Sequence, residues 1–303
     1  MKDAYDTSGK IFTAASRLYR PGLLEQLGAI KQEEIVVVRG QHDTVEELLG
    51  TLKVPYTMIT PEEIPSHNGG RVMLVNCATY GANKKRDEAV GAFVSDGGRL
   101  VTTDWAIDLV INAFPGKLKR TKNTGDEVVE IETPTDLGRK FMGMNYAQCH
   151  PQWWLEGTSY VYDVKDPSVT AIITSEEMRE RHGQPYVAVG FKEGSGEVFH
   201  FISHMKLQRS RQKNKEHAGT LDDFLEKMKI SKTPDMDDAT VADLEAAFST
   251  LNTLAYLCLP AALLGDAEMK STYGATILNS GSSASPTPSS GLGSKALKSK
   301  KLA

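Results

Sequence analysis

The chain has 303 residues, of which 40% are hydrophobic and 24% charged, with a formal net charge of −4 at pH 7. It is long enough for one large domain with appendages, and it has no global basic field that would indicate nucleic acid or an anionic membrane as its partner. Its three cysteines are widely spaced without a CxxC pair, and its N-terminal region has no apolar core of signal-peptide length. These features predict a cytoplasmic protein without a membrane segment.

The N-terminal part of the chain alternates helix-like and strand-like patterns. Residues 1–30 are predicted to be an extension that packs on the next domain, with a helix behind Pro21. The next predicted elements are a strand at 34–39, a helix at 45–52 that Asp43 or Thr44 caps, and a strand at 56–59. This order is typical of the beginning of a doubly wound sheet.

The stretch from Arg71 to Thr103 has the pattern of strand, loop, helix, tight turn and strand, the unit from which parallel sheets are built. Both strands of such a unit run in the same direction, so Cys77 and Asp104, which follow them, are expected at the same edge of the sheet. Open α/β sheets bind ligands in the crevice at the carboxyl ends of their strands. The sequence therefore places its candidate site at this edge.

The second half of the chain is predicted to complete this domain. Residues 117–150 are interpreted as an insertion near the crevice. The strands predicted after it lie at 159–164, 169–174, 186–191 and 197–203, and the last two form a hairpin that ends at His204. The predicted domain boundaries are 1–30 for the extension, 31–210 for the α/β domain, 211–270 for a helical extension and 271–303 for a disordered tail.

Two later segments suggest partners. In the helix predicted at 238–258, apolar residues recur at steps of three and four and make a single seam, which would either cover the sheet or pair with a second subunit. The basic run 209–215 is interpreted as a solvated linker or as a contact for a phosphate or an acidic partner. Nucleic acid is the least favoured partner, and a protein partner or a small polar ligand is preferred.

Four loop residues are expected to converge at the crevice: His42, Cys77, Asp104 and His204. A thiol, a carboxylate and an imidazole at one edge can form a nucleophile with its base. Each residue also has a structural alternative: Cys77 as a small buried apolar residue, Asp104 as a helix N-cap, His42 as a solvated loop residue and His204 as a hydrogen-bonded core histidine. No set of ligands has metal-like spacing along the chain, so the sequence predicts neither a metal nor a cofactor.

These patterns resemble the class I glutamine amidotransferase-like superfamily and, within it, the trehalose-utilisation-type proteins. The matching features are the strand and loop at 72–81, a helix that ends in Gly97-Gly98, a strand that runs into a sharp turn at Asp104, and a late strand that ends in Ser203-His204. The resemblance covers residues 31–208. It implies an α/β fold with a flavodoxin-like, doubly wound and mostly parallel sheet, and a pocket at Asp104 and His204.

The chain departs from the active members of that superfamily at two places. In them, the turn after the double glycine holds a nucleophilic cysteine, and the late histidine is followed two residues later by a glutamate. Here Asp104 stands in the place of the cysteine and Lys206 in the place of the glutamate. A carboxylate cannot perform the acyl transfer of a thiolate in that geometry. These two departures from the family argue against glutamine amidotransferase activity, and the resemblance itself implies no activity.

The preferred hypothesis is a non-catalytic, amidotransferase-like protein that acts as a ligand-binding or assembly component. The alternative is a hydrolase or isomerase of a small polar, sugar-like substrate with Asp104 and His204 as an acid–base pair. In either case the predicted ligand-binding residues are His42, Cys77, Tyr80, Thr103 and Trp105.

Overall fold

The computed structural model of this chain describes residues 1–143 and 149–264. Its strands are β1 (Ile35–Val38), β2 (Thr57–Ile59), β3 (Val72–Val75), β4 (Arg99–Thr103), β5 (Leu118–Asn123), β6 (Glu127–Glu130), β7 (Gln152–Leu155), β8 (Tyr160–Val164), β9 (Thr170–Thr174), β10 (Tyr186–Glu193) and β11 (Gly196–Phe201). Its α-helices are α1 (Lys2–Tyr19), α2 (Leu23–Gly28), α3 (Val45–Leu52), α4 (Lys84–Ser95), α5 (Ile107–Ala113), α6 (Asp136–Met142), α7 (Glu176–His182), α8 (Leu221–Met228) and α9 (Val241–Cys258).

A seven-stranded sheet in the order β2-β1-β3-β4-β11-β10-β9 forms the centre of the molecule. The first five strands are mutually parallel, and β10 is antiparallel to both of its neighbours. These five follow the 2-1-3-4-5 order of flavodoxin-like sheets. The predicted α/β fold with a mostly parallel, flavodoxin-like sheet is therefore confirmed.

The direction in which successive strands are added to the sheet reverses between β1 and β3. The connection through α3 leads from β1 outward to β2, whereas the connection through α4 leads the opposite way from β3 to β4. Because such crossovers are right-handed, the two helices cover opposite faces of the sheet. Strands that are covered on both faces are apolar throughout, and β1 (IVVV) and β3 (VMLV) are buried at every residue.

The predicted insertion at 117–150 contributes β5 and β6, which pair with the later strands β8 and β7 in two small antiparallel sheets. A bridge between Glu132 and Thr174 joins this part to the edge strand β9. The turn at 156–159, between β7 and β8, thereby reaches the carboxyl edge of the central sheet, since Glu156 contacts His204 and the adjoining Tyr160 contacts Asp104. Residues 144–148 of the predicted insertion lie outside the described residues.

The N-terminal extension contains two helices. The short α2 confirms the helix predicted behind Pro21, but the 18-residue α1 before it was not predicted. This helix buries Tyr5, Ile11 and Phe12 together with small polar residues, and it packs on α9. The N-terminus is therefore an integral part of the core.

Helix α9 is buried on all sides, since 16 of its 18 residues are buried. It packs against α1, α3, α6, α8 and β7 of the same chain. The apolar seam of the 238–258 helix, for which pairing with a second subunit was one of two expectations, is therefore packed within the chain itself. Within the described residues, every helix is too short or too polar to traverse a lipid bilayer. The predicted tail at 271–303 lies outside them.

The basic run 209–215 is tied to the rest of the chain by ion pairs. Arg209 pairs with Asp126 and lies over the ring of Trp154, 5.3 Å from its centroid. Lys213 pairs with Glu177 at 2.5 Å. Arg209 and Lys213 therefore have ion-pair partners within the fold, whereas a solvated linker would leave its cations in water.

Candidate functional site

Three of the four predicted residues meet at the carboxyl edge of the sheet. Cys77 follows β3, Asp104 follows β4 and His204 follows β11, and these three strands are neighbours. One donor atom of each residue lies within 4.8 Å of those of the other two, and all three side chains are buried. The expected convergence of Cys77, Asp104 and His204 is thus confirmed, whereas His42 lies farther out, on the exposed rim.

Asp104 has an unusual backbone conformation. Its φ is 43°, in the left-handed region, and it begins the short 3₁₀ turn Asp104–Ala106 directly after β4. Strain of this kind costs about 1–2 kcal/mol in a residue with a Cβ and concentrates at functional sites. The alternative N-cap role is wrong, because Ala106 occupies the N-cap position of α5, and Asp104 Oδ1 instead accepts a hydrogen bond from the Tyr160 N–H at 3.2 Å.

The strain at Asp104 can be measured by comparing two substitutions. Asp104→Gly is expected to be more stable than Asp104→Ala by about 1 kcal/mol, because glycine adopts positive φ without the Cβ clash. Urea unfolding of both variants tests this. The matched pair Asp108→Gly and Asp108→Ala, inside α5, should show the opposite order because glycine weakens a helix. An Asp104→Ala variant as stable as Asp104→Gly would contradict the strain.

His204 lies between two carboxylates. Its Nε2 is 3.5 Å from Asp104 Oδ2, and its Nδ1 is 3.3 Å from Glu156 Oε2. Neither contact has the geometry of a hydrogen bond, so both buried ring nitrogens are without a hydrogen-bond partner. Burial by itself lowers the pKa of His204, but the nearby Asp104, Asp43 and Glu156 outweigh it and raise the pKa above its usual value of 6.5.

Cys77 completes the cluster. Its Sγ lies 3.7 Å from Asp104 Oδ2, and its backbone carbonyl accepts hydrogen bonds from the N–H groups of Gln41 and His42 at 2.8 Å and 3.1 Å. Burial, and then the negative charge of Asp104, raise the pKa of the Cys77 thiol far above its usual range. The thiol is therefore held in its neutral form, and a neutral thiol is a weak nucleophile.

Aromatic side chains lie beside the cluster of Cys77, Asp104 and His204. The rings of His42 and Trp105 meet edge to face at 5.0 Å, and Trp105 stacks on Tyr160 at 5.6 Å. The guanidinium of Arg120 lies over the ring of Tyr160, 4.2 Å from its centroid. The Trp105 indole N–H donates to the carbonyl of Thr158 at 2.9 Å, which fixes the ring above the turn at 156–159.

Tyr80 and Thr103, which were also predicted to contact the ligand, are hydrogen-bonded within the fold. The Tyr80 hydroxyl donates to the carbonyl of Asn76 at 3.2 Å, and its ring carries the guanidinium of Arg86 at 5.3 Å. The Thr103 hydroxyl donates to the carbonyl of Val75 at 3.5 Å. Both side chains are buried, so these contacts use them to hold β3, β4 and the following loop together.

Two acidic residues at the site were missed by the sequence analysis. The carboxylate of Asp43 accepts hydrogen bonds from the backbone N–H groups of Met205 and Lys206, at 2.9 Å and 3.3 Å, and so holds the segment that follows His204. Glu156 supplies the second carboxylate beside His204. The signal for Asp43 was its place after β1, at the same edge as Cys77, but its capping propensity suggested a helix cap. Glu156 has no local signal beyond its place in the insertion.

The comparisons with known proteins give a distant likeness. No protein-family model and no curated protein matches this chain. Among solved structures, a glutamine amidotransferase from Thermotoga maritima is 13% identical with a TM-score of 0.45, covering 75% of this chain and 96% of that one. A ThuA-like protein from Bacteroides uniformis is 11% identical with a TM-score of 0.40, covering 58% and 83%.

The matches also include much larger glycosidases. A β-galactosidase from Rahnella sp. R3 is 13% identical with a TM-score of 0.42, covering 58% of this chain and 29% of that one. This chain spans less than a third of the length of the β-galactosidases that it matches. All of these identities are low and all of these TM-scores are below 0.5, so no functional assignment follows from them.

Proposed function

We propose that this chain is a non-catalytic ligand-binding protein that takes a small polar molecule in the crevice above Asp104 and His204. The observation that carries the proposal is the buried imidazole of His204, which lies between two carboxylates with neither ring nitrogen hydrogen-bonded. A buried polar atom without a partner costs about 1–3 kcal/mol. A ligand with hydrogen-bonding groups recovers that free energy.

The charges around the crevice indicate the chemistry of the ligand. The carboxylates of Asp43, Asp104 and Glu156 surround a single imidazole, so the site favours groups that donate hydrogen bonds, such as hydroxyl or ammonium groups. The stacked rings of Trp105 and Tyr160 give an apolar face beside these polar groups. An apolar wall with a few placed polar groups is the usual composition of a small-molecule site.

The nucleophile position supports binding without turnover. Asp104 occupies the turn after β4 where the resemblance places a cysteine, and the thiol of Cys77 is held in its neutral form by burial. Lys206 stands where the resemblance places a glutamate, and its side chain pairs with Glu47. Amidotransferase chemistry therefore lacks its nucleophile and its third residue.

The proposal is tested by adding a panel of monosaccharides, polyols and small amines to the full chain and detecting their binding by ligand-observed NMR. We expect one class to bind the wild type and Trp105→Ala to weaken that binding about tenfold, since loss of an aromatic contact is worth about 1.4 kcal/mol. Leu18→Ala, an exposed residue on α1, is the control and should bind normally. A panel without any binder, or a binder indifferent to Trp105→Ala, contradicts the proposal.

One observation favours a second candidate, a hydrolase of a small polar substrate. The strained Asp104 lies at the end of a central strand beside the imidazole of His204, and the carboxylate of Glu156 flanks the other side of that imidazole. This is the arrangement of an acid–base pair with a group that orients it. In this scheme His204 accepts the proton of the attacking water and returns it to the leaving oxygen, while Asp104 stabilises the imidazolium.

Nitrophenyl esters and nitrophenyl glycosides test the hydrolase candidate through the release of nitrophenolate. Turnover that Asp104→Asn and His204→Gln each lower by about 100-fold or more would establish it over the non-catalytic proposal. Turnover that persists in both variants, or that is absent from the wild type, rules it out.

A further inference from the structure

We infer that Cys77, Asp104 and His204 form a site for one divalent transition-metal ion of the zinc type, with Cys77 Sγ, Asp104 Oδ2 and His204 Nε2 as its three protein ligands. The inference goes beyond the proposed function, because the ion needs no organic ligand to bind. It also departs from the sequence analysis, which predicted no metal.

The distances between the donor atoms fit a tetrahedral ion. Zinc bonds of about 2.3 Å to sulfur and about 2.0–2.2 Å to nitrogen or oxygen place sulfur and oxygen about 3.6 Å apart, and oxygen and nitrogen about 3.4 Å apart, at the tetrahedral angle. The sulfur of Cys77 and Oδ2 of Asp104 are 3.7 Å apart, and that oxygen and Nε2 of His204 are 3.5 Å apart. All three atoms lie within 4.8 Å of one another. Two of the three separations therefore already match a tetrahedral ion, and a small movement of the Cys77 or His204 side chain brings the third, between sulfur and nitrogen, to about 3.6 Å.

The donor set selects the class of ion. One thiolate, one carboxylate and one imidazole are the ligands of zinc and similar borderline ions, whereas magnesium and calcium require oxygen ligands. Binding of the ion displaces the thiol proton of Cys77 to solvent, and the resulting thiolate together with the Asp104 carboxylate balances the charge of a dication. Three protein ligands leave the fourth tetrahedral position open, as in catalytic rather than structural zinc sites.

The surrounding contacts orient each ligand, as the outer contacts of metal sites do. The Glu156 carboxylate lies 3.3 Å from Nδ1 of His204, the nitrogen that faces away from the cluster. The Tyr160 N–H holds Oδ1 of Asp104 and leaves Oδ2 for the ion. The backbone carbonyl of Cys77 accepts hydrogen bonds from the N–H groups of Gln41 and His42, which fix the backbone that carries the thiol. His204 is 2% exposed, and Nε2 has no hydrogen-bond partner that an ion would have to displace.

The topology explains why spacing along the chain gave no signal. The three ligands are 27 and 100 residues apart in the sequence, yet each follows one of three adjacent parallel strands. Parallel strands bring distant residues to one edge without any short motif. The same side chains cannot act at once as metal ligands and as an acid–base pair, so metal binding also decides against the hydrolase mechanism given above.

Cobalt(II) titration of the chelator-treated full chain tests the inference. We expect one cobalt ion per chain, the visible bands of tetrahedral cobalt and a sulfur-to-cobalt charge-transfer band in the near ultraviolet, all abolished by one equivalent of zinc. Cys77→Ser should remove the charge-transfer band and weaken cobalt binding about tenfold or more. His204→Gln should weaken binding to a similar extent.

Cys258→Ala is the matched control, since Cys258 is also a buried free cysteine but lies in α9. It should retain the full cobalt spectrum, and near-ultraviolet circular dichroism should show that Cys77→Ser is folded. A wild-type protein that binds no cobalt, or a charge-transfer band that persists in Cys77→Ser, overturns the inference. Binding of a polyol or an amine to a protein that takes up no cobalt would leave the ligand proposal standing and remove only the metal.

Discussion

Replacing Arg99 by methionine is expected to lower the free energy of unfolding by about 3–5 kcal/mol, because it leaves a buried carboxylate without its cation. Arg99 on β4 and Glu197 on β11 are directly paired across the two parallel strands, and each is 5% exposed. Two guanidinium nitrogens donate to one carboxylate oxygen of Glu197, at 2.7 Å and 3.0 Å. Methionine fills a similar volume but satisfies none of these contacts.

The same pair fixes the segment that follows α9. The guanidinium of Arg99 donates to the backbone carbonyls of Leu257, Leu259 and Ala261 at 2.6–2.8 Å. The other oxygen of Glu197 accepts the N–H groups of Leu263 and Leu264 at 2.7 Å and 2.6 Å. Loss of Arg99 should therefore also release the C-terminal end of the buried helix α9.

Arg71 provides the control for this prediction. Its pair with Glu34 has a similar distance, 2.9 Å, but both side chains are about 30% exposed, so Arg71→Met should cost about 1 kcal/mol or less. Urea unfolding of both variants measures the difference, and hydrogen exchange at the end of α9 reports the local release. Equal losses in the two variants would contradict the buried-pair argument.

The sheet and the crevice were predictable because their signals are local. Apolar runs such as those of β1 and β3 mark buried parallel strands, and turns follow them at fixed places. Once two strands are known to be parallel and adjacent, the residues that follow them must share an edge, as Cys77 and Asp104 do. The late strand β11 added His204 by the same rule.

The remaining features depend on contacts that the sequence pattern does not reveal. Helix α9 buries polar residues as well as its apolar seam: Ser249 accepts the indole N–H of Trp153 at 2.9 Å, and Thr250 bonds Tyr5 of α1 at 3.2 Å. A polar residue in a helix normally indicates an exposed face. The burial of Ser249 and Thr250 could be predicted only by knowing which residues they bond. For the same reason α1 was missed, since its small polar residues face another helix.

A second large effect is expected at Glu245, where Glu245→Gln should stabilise the protein by about 3 kcal/mol at pH 8 and have little effect at pH 4.5. Glu245 lies on α9 and is 1% exposed. Burial raises its pKa to about 7 from a usual value of 4.5, against the opposing attraction of Lys227. The folded state therefore holds its proton more tightly than the unfolded state.

The sign of the pH dependence follows from that difference. Between pH 4.5 and pH 7 the unfolded chain ionises Glu245 while the folded chain keeps it protonated, so the contribution of Glu245 to stability falls as pH rises and levels off above pH 7. The groups that face it are Lys227 of α8 at 3.6 Å, His217 at 3.8 Å, the His150 backbone N–H at 3.3 Å, and Glu216 through their shared lysine. Glutamine keeps the shape and removes the ionisation.

Glu216→Gln distinguishes this effect from a general change of charge around Lys227. The hydrogen bond from Lys227 to Glu216 lowers the pKa of Glu216, so its contribution to stability is present at neutral pH and is lost as pH falls through that pKa. Glu216→Gln should therefore destabilise the protein at pH 8 and not at low pH, the opposite trend to Glu245→Gln. Urea unfolding of the wild type and both variants between pH 3 and pH 8 measures the two trends, with that of Glu245 above pH 4.5 and that of Glu216 below it. If both substitutions changed stability in the same direction with pH, burial of Glu245 would not be the cause.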